Sequence, residues 1–402
     1  MKICVAVLFG GKSVEHEVSV ISALQAVRSL DREKYDIVPV YMTKENEMYV
    51  GEQVGEIGSY RDIPALLKKS TRVTPIKLDG RMVLTEPKAK FGHKRYERAV
   101  DVVLPIVHGT NVEDGALQGY LRTLGVPFAG CDVLASAVGM DKYVMKLVFR
   151  DAGLPVLDGR CYAKARYYAD EAATLMKIER TFAYPVIVKP VNLGSSVGIS
   201  KAHDRAELVE ALELAFRFAE RVLVEPAIVH LREINCAVLG SADDAVASEC
   251  EEPLNATDIL SYEDKYMGGG KSAKAGGSKG MASLSRRIPA DIPEALRDKV
   301  RTMAVEAFRA IGGNGVARID FMLDTAENKL YINEINTIPG SLAFYLWEPL
   351  GLSYPKLLDR LIELALTRAR EEESIFYSFA SNILENCNFG GGKAGAKTGS
   401  KL

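Results

Sequence analysis

Apolar residues fill positions 3–9 without interruption, a run that predicts a strand buried on both faces, as in a parallel sheet. Gly10 and Gly11 end it. Val20, Leu24 and Val27 then recur at i, i+4 and i+7, with Glu15 and Glu17 ahead of them and Arg28 near the end, a spacing and charge order that predict a helix. A second strand is expected at 35–41. This strand–turn–helix–strand opening predicts an α/β fold with a doubly wound parallel sheet, whose ligand-facing loops lie at the carboxyl ends of the strands. Residues 45–95 are charged and show no strong periodicity, so they are expected to form an irregular peripheral insertion. The stretch 100–107, apolar but for Asp101, predicts another strand, which delivers His108 and Gly109.

Further along, Asp132 is placed to cap a helix running to about 149, stopped by Gly153 and Pro155. A strand at 186–189, a glycine–serine loop, a helix at 205–220 and a strand at 222–225 follow. From 231 onward the pattern predicts a helix at about 292–311, strands at 315–323 and 330–334, and a last helix at about 355–371. These shifts divide the chain into expected domains at 1–130, 131–229 and 230–385, followed by a flexible low-complexity tail at 386–402. No internal repeat is present.

Composition narrows the function class. Lys plus Arg (51) nearly balance Asp plus Glu (53) in 402 residues, so no overall field favours nucleic acid or an acidic membrane surface. Small molecules are the expected partners. Cys4, Cys131, Cys161, Cys236, Cys250 and Cys387 are scattered, without the spacing of a zinc site or a disulfide framework. No apolar run approaches the roughly 20 residues of a membrane helix, and no small-residue cleavage site follows the first strand. A cytoplasmic protein is expected.

The chemistry concentrates in two places. In VKPVNLGSSVGIS (188–200), Lys189 precedes Gly194, Ser195, Ser196 and Gly198, the reverse of the P-loop order. A strand-end lysine can meet nucleotide phosphates as a point charge, and the loop can fold over them with N–H groups and hydroxyls. A polar hairpin with turn glycines would read the same. Near the C-terminus, Arg318 and Asp320 are two apart on one strand and share a face, as do Glu334 and Asn336 on the next. Two carboxylates and an amide oxygen suit Mg²⁺ holding substrate phosphates.

The strings GGKSVEHEVS, HGTNVEDGALQG, VLASAVGMDK, VKPVNLGSSVGIS, YEDKY, ARIDF and NEINTIPG follow one another in the order found in the D-alanine–D-alanine ligases of the ATP-grasp superfamily. The chain resembles that family over about residues 1–370. The resemblance implies a three-domain ATP-grasp architecture with ATP held between the central and C-terminal domains, with Mg²⁺ or Mn²⁺, two ions, and a homodimer. It implies that Lys142 and Lys189 contact ATP phosphates with Ser195 and Ser196, that Glu225 lies beside adenine, and that Glu233 binds ribose. By the same resemblance Asp320, Glu334 and Asn336 would hold the metal. Glu15 resembles the carboxylate that recognises the ammonium of the first D-alanine, Ser195 and Tyr266 match the residues hydrogen-bonded with it, and His108 matches a substrate-site histidine. Lys265 and Ser341 are matched to the carboxylate of the second substrate, and Arg318 with the N–H of Gly340 to the oxyanion.

The implied reaction forms an acyl phosphate from D-alanine and ATP, then D-alanyl-D-alanine for peptidoglycan synthesis. The Gly/Lys-rich stretch at 262–281 fits a lid that excludes water. The sequence departs from the family at Val112, where glycine is usual, and at 341–347, which does not follow the usual run bearing the substrate serine. Ser341 in a shifted register, or Tyr345, is the expected substitute. Ligation to D-serine or D-lactate, and a non-catalytic ATP-binding protein, are the competing readings.

Overall fold

The computed structural model describes residues 2–88, 94–194, 197–254, 286–377 and 382. Ser195, Ser196, Lys265, Tyr266, the expected lid at 262–281 and the tail at 386–402 lie outside them.

The first sheet is built on β1 (Ile3–Gly10), which pairs in parallel with β2 (Tyr35–Met42) after α1 (His16–Ser29). The chain at 45–88 departs from the expected irregular insertion. It forms β3 (Met48–Val50), α2 (Ile63–Lys68), β4 (Thr71–Leu78) and β5 (Arg81–Thr85), which continue the sheet antiparallel beyond β2. With β6 (Glu97–Val100) and β7 (Val102–Ile106), the sheet has seven strands in the order β6-β5-β4-β3-β2-β1-β7. Only β2, β1 and β7 are mutually parallel. Both β1 and β7 deliver their following loops to the same edge, where α3 (Ala116–Leu124) begins after Gly115.

The expected helix from 132 to 149 is two helices. α4 (Val133–Met140) stops at Asp141, whose extended backbone starts α5 (Lys142–Asp151) and whose carboxylate accepts from the N–H groups of Tyr143 and Val144 at 3.1 and 3.0 Å. Asp132 makes no cap bond and pairs with Arg122 instead. The new helix start turns Lys142 inward. A second sheet, in the order β10-β9-β11-β8, contains β8 (Arg160–Ala163), β9 (Val186–Pro190), β10 (Ser200–Ala202) and β11 (Arg221–Pro226). It is covered by α6 (Lys164–Ala169), α7 (Glu171–Thr181) and α8 (Arg205–Phe216), and has its own core around Tyr167, Leu208 and Phe216.

The third sheet runs β14-β13-β12-β15-β16, made of β12 (Leu231–Ser241), β13 (Ala245–Pro253), β14 (Arg286–Arg287), β15 (Asn314–Asp324) and β16 (Lys329–Asn336). α9 (Glu294–Ala310) packs its apolar face on one side of it. α10 (Tyr354–Glu373) joins the back of the sheet to the first sheet's core, through Leu357, Leu358 and Leu361. None of the described helices is long and apolar enough to cross a membrane.

Candidate active site

The carboxyl ends of β1 and β7, the inner strands of the second sheet and one face of the third enclose a cavity of about 840 Å³. That lies within the range of roughly 300–1,000 Å³ typical of small-molecule sites. The residues reach it for local reasons.

Glu15 stands just before α1 and is buried at the cavity edge. Two glycines make room for its carboxylate: a Cβ on Gly194 would lie 2.6 Å from Oε2, and one on Gly109, whose φ is +84°, would lie 2.9 Å from it. His108 closes the end of β7. Its Nδ1 donates to the Ile338 carbonyl at 2.9 Å and Nε2 takes Ser22 Oγ at 3.3 Å, while burial pulls its pKa down to about 4. The ring is therefore neutral. Ser22 Oγ also accepts from the N–H of Ser341 at 3.0 Å, so this chain of bonds ties the loop after β16 to α1.

Lys142, at the first position of α5, places Nζ 2.9 Å from Glu334 Oε2 and 2.8 Å from the Leu193 carbonyl. Burial opposes its charge, but Glu334 outweighs that and raises its pKa. Lys189 on β9 reaches Glu225 Oε1 at 2.5 Å and Asn333 Oδ1 at 3.1 Å. Glu225 also faces Lys146, at 2.9 Å. Burial pushes the Glu225 carboxyl up, yet the two ammoniums overcome it and hold the group at about 2.

The third sheet forms the floor. Glu233 and Asn235 lie two apart on β12 and both line the cavity. On β15, Arg318 and Asp320 form a bidentate pair, Nε–Oδ1 2.6 Å and Nη2–Oδ2 2.7 Å, and the charge of Asp320 prevails over burial to raise the Arg318 pKa. Asp320 stands opposite Glu334 across β15–β16, and Asn336 donates to Asp320 Oδ2 at 3.0 Å. A bulge at this point pairs Phe321 with Ile332, leaving Asn333 as the extra residue, so that consecutive residues Asn333 and Glu334 both face the cavity. Asp320, Glu334 and Asn336 together present hard oxygen donors, the chemistry a divalent cation needs, and the Lys142 ammonium already supplies a positive charge at Glu334.

Glu15, His108, Lys142, Lys189, Glu225, Glu233, Arg318, Asp320, Glu334, Asn336 and Gly340 thus share one cavity. Ser341 does not join them. It is turned away, its hydroxyl donating to Gln25 Oε1 at 2.7 Å, because residues 341–343 adopt a left-handed turn with φ of 51°, 53° and 49°. That turn carries Tyr345 into the cavity instead. Sequence reading missed Glu113, which accepts from the N–H groups of Gly109 and Ile338 at 3.0 and 2.9 Å. It also missed Lys146, Asn333 and the group Asn235, Glu251 and Arg286. The EDG string held the only signal for Glu113; for the last three, strand register alone brings them together. Among the described residues, no cluster of three or more His, Cys, Asp or Glu side chains is arranged as a metal site, and Asn336 is what completes the set at Asp320 and Glu334.

Comparison with known proteins meets this geometry from the other side. The family described as D-ala D-ala ligase N-terminus matches residues 4–131, and that described as D-ala D-ala ligase C-terminus matches 148–363. The chain is 40% identical to the D-alanine–D-alanine ligase of Acetivibrio thermocellus over 90% of its length and 96% of the relative's. It is 38% identical to that of Bacillus cytotoxicus over 94% and 99%. Among solved structures, the D-alanine–D-alanine ligase of Coxiella burnetii superposes with a TM-score of 0.76 at 33% identity, covering 92% of this chain and 96% of that one. The VanG D-Ala:D-Ser ligase of Enterococcus faecalis gives 0.73 at 30% identity, over 91% and 100%. With matches to both halves and a relative of this identity along nearly all of its length, the chain belongs to the D-alanine–D-alanine ligase family.

Proposed function

We infer that this chain joins two D-alanines into D-alanyl-D-alanine, a peptidoglycan precursor, with conversion of ATP to ADP and phosphate. The observation that carries the reading is the convergence, on one cavity, of two buried lysines, the Arg318–Asp320 pair and the carboxylate of Glu15. In the reaction, a carboxylate oxygen of the donor D-alanine attacks the γ-phosphorus, the bond to the β-γ bridging oxygen breaks, and ADP leaves. The neutral acceptor amine then attacks the acyl-phosphate carbonyl, and phosphate departs with the C–O electron pair and takes up the proton that the new amide nitrogen releases.

Lys142 and Lys189 are assigned to the transferring phosphoryl group, where fixed positive charge offsets the charge on its oxygens. Glu15 is assigned to the donor ammonium, and Arg318 with the N–H of Gly340 to the tetrahedral oxyanion. Asp320, Glu334 and Asn336 would hold Mg²⁺ or Mn²⁺, which neutralises the phosphate oxygens when bound. His108, being neutral and bonded at both nitrogens, orients the loop that carries Gly340 and does not act as a base. An ATP-consuming reaction of this kind belongs in the cytoplasm.

The test is phosphate release from Mg-ATP with D-alanine alone, then with D-serine or D-lactate added, with products identified by mass. D-alanyl-D-alanine at one phosphate per bond is expected. Release only when another acceptor is supplied, or ATP binding without release, overturns the reading.

A further inference from the structure

Residues paired across adjacent strands face the same side of a sheet, so register lays out a row. Glu334 on β16 is opposite Asp320 on β15, Asp320 opposite Asn235 on β12, and Asn235 opposite Glu251 on β13. All four line the cavity. Three inter-strand steps of about 4.8 Å put Glu251 roughly 14 Å from Glu334 and its partner Lys142. The row therefore runs from the phosphate end of the cavity, past Arg318, to an end that the proposed chemistry leaves unassigned.

That far end is built. Arg286, which enters from β14, donates to Glu251 Oε2 at 3.0 Å, and its side chain is only 11% exposed. Its guanidinium carbon sits 3.9 Å above the centre of the Tyr345 ring. Tyr345 donates to the other oxygen, Glu251 Oε1, at 3.3 Å, and Asn235 donates to the same oxygen at 2.9 Å. Burial, with the charge of Glu251 adding to it, pushes the Tyr345 phenol up to about 12, so it stays a donor. A guanidinium offers five donors in a planar fork, and Glu251 and the ring fix its plane without changing its charge. The left-handed turn at 341–343 puts Tyr345 here while removing Ser341 from the cavity.

With the acceptor amine beside Arg318 and Gly340, as the proposed chemistry requires, its carboxylate has room on the side away from the phosphates, where Arg286 lines the cavity. We propose that Arg286, held by Glu251 and stacked on Tyr345, binds the carboxylate of the acceptor amino acid and so selects α-amino acid acceptors over amines lacking that group. This rests on the ligase reading above, with Arg286 as a binding residue and Glu251 and Tyr345 as positioning residues.

The test separates the two. In the wild-type enzyme, D-alanine and D-alaninamide are offered as competing acceptors with D-alanine as donor, and products are partitioned by mass. Strong preference for D-alanine is expected. Arg286→Gln is expected to raise the acceptor-site KM by about ten- to hundredfold, the effect of losing a charge-assisted contact. Its donor-site KM and its KM for ATP stay near the wild-type values, and its preference over the amide shrinks. Arg286→Lys restores part of the preference. Tyr345→Phe keeps the stacked ring but loses the bond to Glu251, and gives a smaller rise confined to the same KM. A wild-type enzyme that uses the amide as readily as D-alanine overturns the proposal even should Arg286→Gln fail to fold. So does an Arg286→Gln enzyme whose acceptor KM is unchanged or whose donor KM moves equally. A wild type that makes no D-alanyl-D-alanine overturns the ligase reading instead.

Discussion

Glu113 and His108 are buried neighbours of the same loop, and their titrations oppose each other. Burial, with the charge of Glu15 adding to it, pushes the Glu113 carboxyl up to about 7 from 4.5. Between those values the folded chain holds a proton that the unfolded chain releases, so this group stabilises fully below pH 4.5 and loses that contribution as pH rises to 7. His108 does the reverse. With its pKa lowered from 6.5 to about 4, it weakens the fold as pH falls through that window. The two slopes nearly cancel from about pH 4.5 to 6.5. Glu113→Gln removes one of them. We expect the stability of the variant, relative to wild type, to rise by about 1.4 kcal/mol per pH unit over that range, toward a total of about 3 kcal/mol by pH 7. Urea unfolding at half-unit steps from pH 4.5 to 7.5 measures it, and parallel curves would show that Glu113 titrates normally. The cavity residues that motifs carry, Lys142, Lys189, Arg318 and Glu334, were legible as single letters in order. Glu251 and Arg286 were not, since a glutamate and an arginine 35 residues apart become neighbours only through pairing of β13 with β14.

At the scale of elements, unbroken apolar runs marked β1 and β7, while β4, β12 and β13 went unpredicted. β4 alternates buried Val73 and Pro75 with exposed Arg72, Thr74 and Ile76, and is too polar to stand out from a loop. The single helix expected at 132–149 failed for a different reason. A continuous helical pattern conceals a cap when the capping Asp141 is also a tolerable helix residue. The break has a purpose in the geometry: Arg221 pairs with Asp141, and the N–H of Lys142 donates to the Val191 carbonyl at 2.7 Å, fixing where the lysine leaves the backbone. Asp141→Ala removes the cap, which costs about 1 kcal/mol. Freeing Lys142 to drift from Glu334 is expected to raise the KM for ATP roughly fivefold, the equivalent of about 1 kcal/mol. Steady-state kinetics with D-alanine saturating gives the answer, and a lower melting temperature with an unchanged KM would mean that the cap serves stability alone.

At the scale of the molecule, the three sheets do not share their interiors equally. The first sheet and the back of the third are continuous through α10, whose Arg368 also donates to the carbonyls of Gly130 and Phe128 at 2.7 and 2.6 Å. The second sheet keeps a separate core, the smallest of the three, and its described bonds to the rest include Lys189 to Asn333 and Lys142 to Leu193 across the cavity. A unit with its own small core and a polar junction opens more easily than the body it rests on. Amides of β9 and β11 should therefore exchange with solvent as a group, ahead of those of β1 and β7. A nucleotide held by Lys189, as proposed above, would bridge that junction. At a hundred times its Kd, a non-hydrolysable ATP analogue with Mg²⁺ should strengthen the unit by about 2.7 kcal/mol, slowing exchange in β9 and β11 about a hundredfold. D-alanine added afterwards should protect residues 106–115, since Glu15 and His108 reach the cavity from the first sheet. Equal protection of β9 and β1 without ligand would contradict the separate unit, and nucleotide protection confined to the first sheet would place the phosphates away from Lys189.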